Sequence, residues 1–187
     1  LLSVGGVRVL RRSFAAAIFV GAVIGIGTSA LLVAQEGAPP ALRAGTGADT
    51  VRLDGVLSEP AWNAAEMADA FAQTDPSEGA PPTFPTTVRV LAGRNALIIG
   101  IVCSDADPPG IVSFNVRRDA PLGQEDHLRI VLGPFQDGRS GYVFAVNPSG
   151  ARYDGVINAG GENENSEWDG IWEAATARSE TGWSAEI

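Results

Sequence analysis

The chain has 187 residues, one Cys, one His and a formal net charge of -9, a size that suits one domain with an extension. Its thirteen basic residues are all Arg and are scattered along the chain, which excludes the phosphate-neutralising stripe that a nucleic-acid partner needs. A single Cys excludes an internal disulfide, and Cys103 reads as a small apolar residue of the core.

Arg8, Arg11 and Arg12 precede an uncharged run over 13–34, SFAAAIFVGAVIGIGTSALLVA. A basic flank, an apolar run, small residues and then a polar Gln35 and Glu36 follow the order of a secretory signal, with cleavage after Ala30 or Ala34. The run is also long enough for a membrane anchor. Either reading exports the rest of the chain to the periplasm, the outer membrane or the exterior. Residues 1–34 are therefore read as signal peptide or anchor, the only membrane element expected in the sequence. Residues 35–50, rich in Gly, Pro and Ala without periodicity, read as a linker.

From 51 onward the chain alternates short strand-like runs with turn signals. Residues 51–53 predict a strand, and Asp54 and Gly55 a turn. Ser58 is placed to cap a short helix with Pro60 in its first turn and Trp62, Ala65 and Met67 on its buried side. Residues 87–92 and 97–104 predict a hairpin turned by Gly93, Arg94 and Asn95, and apolar residues on both faces of 97–104 predict a strand buried on both sides. Alternation then predicts strands at 127–132, 142–146, 152–157, 172–176 and 183–187. Turns fall at 136–141, at Asn147, Pro148, Ser149 and Gly150, and at 180–182, and a polar loop spans 158–166.

This pattern predicts an all-β fold, an antiparallel β-sandwich of immunoglobulin-like or jelly-roll-like type with one short helix, over 51–187. The last strand meets the chain end at Ile187, so the sequence predicts that closing strands lie beyond it and that the sandwich is incomplete.

The order of motifs resembles the family 9 carbohydrate-binding modules. The resemblance rests on LDGVLSEPAW at 53–62, TVRVL at 87–91, ALIIGI at 96–101, Asp105, Arg118 with Asp119, and Glu125 with Asp126. It continues through YVFAVNPSG at 142–150, WDGIW at 168–172 and GWSAEI at 182–187. It covers nearly all of 51–187 and is closest to domains at the N-terminus of large exported bacterial proteins of otherwise unknown function. It implies a C-terminal outer-membrane-type β-barrel in the same parent protein, a polysaccharide or oligosaccharide ligand, and in some members a structural calcium. In sugar-binding members two Trp side chains clamp the ligand. Here Leu122, Gly123 and Gln124 stand where the first would be, the second would lie beyond Ile187, and the carboxylate expected inside the acidic strand aligns with Arg129.

A sugar site needs an aromatic face for the apolar side of the ring and polar groups for its hydroxyls. Trp168 and Trp172 flank the polar loop and are the candidate platforms, with Arg129, Asp126 and Asn158 as polar partners. The competing reading puts Trp172 in the core and Trp168 over a sheet edge, and it assigns Trp62 and Trp183 to the core. Asp105 and Asp107 are the candidate ligands for a hard cation such as calcium. No catalytic residue is assigned, because His127 has no Ser or Cys partner at a readable spacing. Three functions follow from this reading. The first is a carbohydrate-binding module serving polysaccharide binding or catabolism. The second is an accessory domain without the sugar clamp that packs on the barrel or a partner protein. The third is the N-terminal part of a glycoside hydrolase whose catalytic domain lies elsewhere.

Overall fold

The computed structural model describes residues 41–134, 140–158 and 164–187, together with the backbone of 2–4 and 7–8. The rest of the segment read as signal or anchor lies outside the described residues, as do 135–139 of one predicted turn and 159–163 of the polar loop. No helix among the described residues is long and apolar enough to cross a membrane.

The strands in chain order are β1 (Leu2–Val4), β2 (Val7–Arg8), β3 (Gly45–Thr46), β4 (Met67–Ala68), β5 (Thr86–Ala92) and β6 (Leu97–Ser104), with helix α1 (Pro60–Ala64) between β3 and β4. They continue as β7 (Leu128–Leu132), β8 (Gly141–Val146), β9 (Arg152–Ile157), β10 (Glu164–Asn165), β11 (Ala175–Ser179) and β12 (Gly182–Glu186). One sheet runs β10-β9-β8-β7-β1-β2 and the other β11-β12-β6-β5-β3, with β4 on the side of β5. All pairs are antiparallel except β3 with β5. The fold is thus all-β, with two sheets and one short helix.

The inner faces meet in one core. Leu128, Ile130 and Val146 of the first sheet pack against Val88, Ile99, Ile101, Cys103, Trp183 and Ala185 of the second, with Phe71 and Ile111 closing the ends. Because side chains alternate across a strand, β6 also buries its other face. There Ile98 joins Leu91, Trp62, Ala65 and Ala48 in a second cluster. The residues that sequence patterning places on both sides of β6 are therefore buried by different partners.

Two predicted motifs meet on that outer face. The Glu186 carboxylate is fully buried. One of its oxygens accepts the backbone N–H groups of Asp54 and Gly55, each at 2.9 Å. The other accepts Trp62 Nε1–H at 3.0 Å. The opening motif is thus clasped by the last strand. Gly100 makes room for it, since a Cβ there would stand 2.9 Å from the Trp62 ring. At the turn into β12, Gly182 has φ 134°, and a Cβ would fall 2.0 Å from the Cys103 carbonyl oxygen.

Several elements differ from the sequence reading. Residues 51–53 form no strand, and the chain joins the sandwich earlier, at Leu42. The end of the segment read as linker carries β3 and places Ala48 in the second cluster. The N-cap of α1 is Glu59, without a side-chain capping bond, so Ser58 does not cap it. Trp62 and Ala65 are buried as expected, but Met67 lies on the edge strand β4 and is exposed. The strand after the polar loop begins at Ala175, so Trp172 lies in the preceding extended segment.

Candidate functional site

The candidate residues fall into three separate places. Register places Tyr142 and Phe144 of β8 on the same face as Leu132 and Ile130 of β7, the inner face of the first sheet. The segment 166–174 folds over this face. Trp168 lies on Tyr142 with ring centroids 4.9 Å apart and meets Phe144 edge-on at 6.1 Å. Trp172 meets Phe144 edge-on at 5.2 Å, and the Arg152 guanidinium stands 5.7 Å over its ring. The backbone of Gly170 closes on Trp168, where a Cβ would come within 2.8 Å of the ring. Both indoles are half-buried and their faces are engaged by protein. Below them Arg118 bridges the buried Asp154 at 2.8 Å and Asp169 at 2.9 Å.

Arg129 and Tyr153 lie across the sheet from this group. Register pairs Arg129 and Tyr153 with Ala145, on the outer face. There both Arg129 and Tyr153 bind the Glu164 carboxylate. Burial, then the bond to Glu164, pushes the Tyr153 phenol up to about 12. Arg129 is thus committed to Glu164 and does not share a surface with Trp168 and Trp172. Asn158 follows β9 as an exposed residue.

The third place is a cleft of about 180 Å³ between the loop at 73–84, the end of β6 and the start of β7. Gln73, Asp75 and Phe84 of the loop line it with Asp105, Asp126 and His127, and Trp183 and Cys103 also border it. Phe84 keeps 39% of its surface exposed. His127 Nδ1 lies 2.8 Å from the Glu125 carbonyl oxygen, so Nδ1 carries the proton and Nε2 is the acceptor of the neutral ring. Burial first, and then the charge of Asp126, push the Cys103 thiol up to about 12 against a lowering bond from Thr86. The thiol is a protonated lining group and not a nucleophile.

Asp126 also ties the cleft to the segment at 112–116, accepting Val112 N–H at 2.8 Å. Next to it Glu125 is buried and accepts the backbone N–H groups of Phe114 and Asn115 at 2.7 and 3.1 Å. The Asn115 and Asn147 side-chain amides donate to it as well. Burial raises the Glu125 carboxyl, but these bonds outweigh it and hold the group below the usual carboxylate range. Asn147, legible in sequence only as a turn residue, also accepts Ser149 and Ala151 N–H and so fixes the turn to this network.

Of the two residues proposed for a cation, Asp105 lines the cleft and Asp107 does not. Asp105 Oδ1 accepts Asp107 N–H at 2.7 Å, which is a local turn. Calcium takes six to eight oxygen ligands, and no group of three or more acidic, His or Cys residues able to hold a metal comes together among the described residues.

The loop residues Gln73, Asp75 and Phe84 escape sequence reasoning because a Pro-rich loop carries no periodicity. An aromatic at position 84 of such a loop was the available signal. No family model, curated protein or solved structure matches the chain.

Proposed function

We propose that the chain is a non-catalytic glycan-binding module of an exported protein, and that the cleft between Phe84 and Asp126 seats the ligand. The observation that carries this reading is the composition of the cleft. A partly exposed aromatic ring stands with an amide, three carboxylates and an imidazole acceptor, the mixture that a sugar ring and its hydroxyls require. The resemblance to family 9 carbohydrate-binding modules supports the same class, as does the leader-like segment at 1–34. Calorimetry against a panel of oligosaccharides tests it. Binding that Phe84→Ala weakens at least tenfold is the expected result, and folded protein that binds nothing on the panel refutes it.

A second reading is favoured by one observation. Val112, Phe114 and Val116 are all exposed, at every second residue of a segment outside both sheets. Such a row suits an accessory domain that packs on a partner protein or on a barrel of the same parent. Under this reading Phe114→Ser weakens association with the parent's remaining region and leaves sugar titrations silent.

A further inference from the structure

The charge of the cleft is one-sided. Asp75, Asp105 and Asp126 line it, and no Arg does, while Lys is absent from the whole chain. Asp105 and Asp126 each accept a backbone N–H, from Asp107 and Val112. The ion pairs of the described residues are made by Arg118 and Arg129, with Asp119, Asp154, Asp169 and Glu164, none of which lines the cleft. The negative charge of the cleft therefore has no Arg or Lys partner there.

A row of acids alone is only a solvated surface, but Trp183 adds a second and independent observation. Its indole lines the cleft although the residue is only 6% exposed. Nε1–H has no acceptor among the hydrogen bonds of the described residues. It is also not among their sealed, unpartnered polar atoms, which are Glu59 Oε2, Arg89 Nε and Trp172 Nε1. Its donor is thus neither taken by a protein acceptor nor sealed, on a residue that borders the cleft. Buried indole donors normally have an acceptor, and a ligand oxygen supplies one here.

Building on the reading of the cleft as the glycan seat, the geometry points to an amine-bearing sugar, an unacetylated hexosamine unit, as its preferred ligand. The ammonium meets the Asp105 and Asp126 carboxylates in charge-assisted bonds, and the Phe84 ring is an aromatic face of the kind that attracts cations. A ring hydroxyl oxygen accepts from Trp183 Nε1–H. Uronates and sulfated sugars are disfavoured, since no Arg or Lys lines the cleft to offset their charge.

The test is calorimetry on the whole chain with three oligomers of equal length. One is unacetylated glucosamine at mildly acidic pH, one its N-acetylated counterpart, and one a uronate. The amine form binds about tenfold or more tightly than the acetylated form, an advantage that added salt reduces. Asp105→Asn and Asp126→Asn narrow that gap, with circular dichroism confirming the fold. Tightest binding by the uronate, or equal binding of amine and acetylated forms at low salt, overturns the charge preference. If Phe84→Ala still abolishes that binding, the seat itself stands. No binding by any oligomer, or binding that Phe84→Ala leaves unchanged, removes the seat and the preference together.

Discussion

Two places in the molecule set a carboxylate near a tryptophan, and they are built on opposite terms. In the clasp, Glu186 is fully buried and both its oxygens are taken by protein donors from Asp54, Gly55 and Trp62. In the cleft, Asp105 and Asp126 each accept one backbone N–H, and Trp183 keeps its indole donor unused. The same residue types therefore serve two ends. Where the chain itself completes the hydrogen bonds, the group holds the fold. Where donors and acceptors are left over beside a cavity, the group is available to a ligand.

The largest effect that sharpens this contrast is Glu186→Ala. It strands three donors under the opening motif, and chemical denaturation should show a loss on the order of 3–5 kcal/mol. A loss below about 1 kcal/mol breaks the claim that the clasp ties the opening motif to β12.

Glu125→Gln comes next, at about 2 kcal/mol near neutral pH. Because the folded carboxyl lies below its unfolded value, its stabilisation is present above the unfolded pKa. It is lost as pH falls through the carboxylate range, below roughly pH 4. Denaturation midpoints at neutral and acid pH should therefore converge between wild type and Glu125→Gln as pH drops.

Smaller still is Arg129→Ala. Its pair with Glu164 is part-exposed, so thermal unfolding should register less than about 1 kcal/mol. Cys103 has its thiol pushed up to about 12. Iodoacetamide at roughly pH 8 should leave it unmodified in the folded chain and label it once urea unfolds the domain. Phe84→Ala touches only a loop side chain, and stability should move by no more than about 0.5 kcal/mol while glycan binding falls. That separation is the reverse of the pattern expected for Glu186.

Much of the fold could be read from the sequence because alternation is a direct image of a two-faced strand. The runs at 97–104 and 152–157 match β6 and β9 residue for residue, and the run at 127–132 starts one residue ahead of β7. The prediction fails where tertiary pairing overrides local pattern. β3 is two residues of a Gly-rich stretch and exists because β5 offers it an edge. Trp172 continues the alternation toward β11 but is pulled out of the strand to meet Phe144 and Arg152.

The site was less legible. Asp126 and Asp105 were picked out by residue type, and the fold brings them to one cleft. Trp168 and Trp172 were chosen as the aromatic platforms because they flank a polar loop, yet their faces are met by Tyr142, Phe144 and Arg152. Arg129 fell on the wrong face for them by the parity of β7 against β8. Sequence parity could have signalled that. The approach of the 73–84 loop could not have been foreseen, since nothing in its composition fixes where it lies.

The four tryptophans allow the central claim to be tested in one spectrum. Their indole N–H resonances can be assigned by single Trp→Phe changes and followed while a glucosamine oligomer is added. The cleft account predicts that the Trp183 signal shifts with saturation and that those of Trp62, Trp168 and Trp172 stay in place. Movement at Trp168 or Trp172 with Trp183 unchanged would place the ligand on the aromatic group under the 166–174 segment and contradict the account.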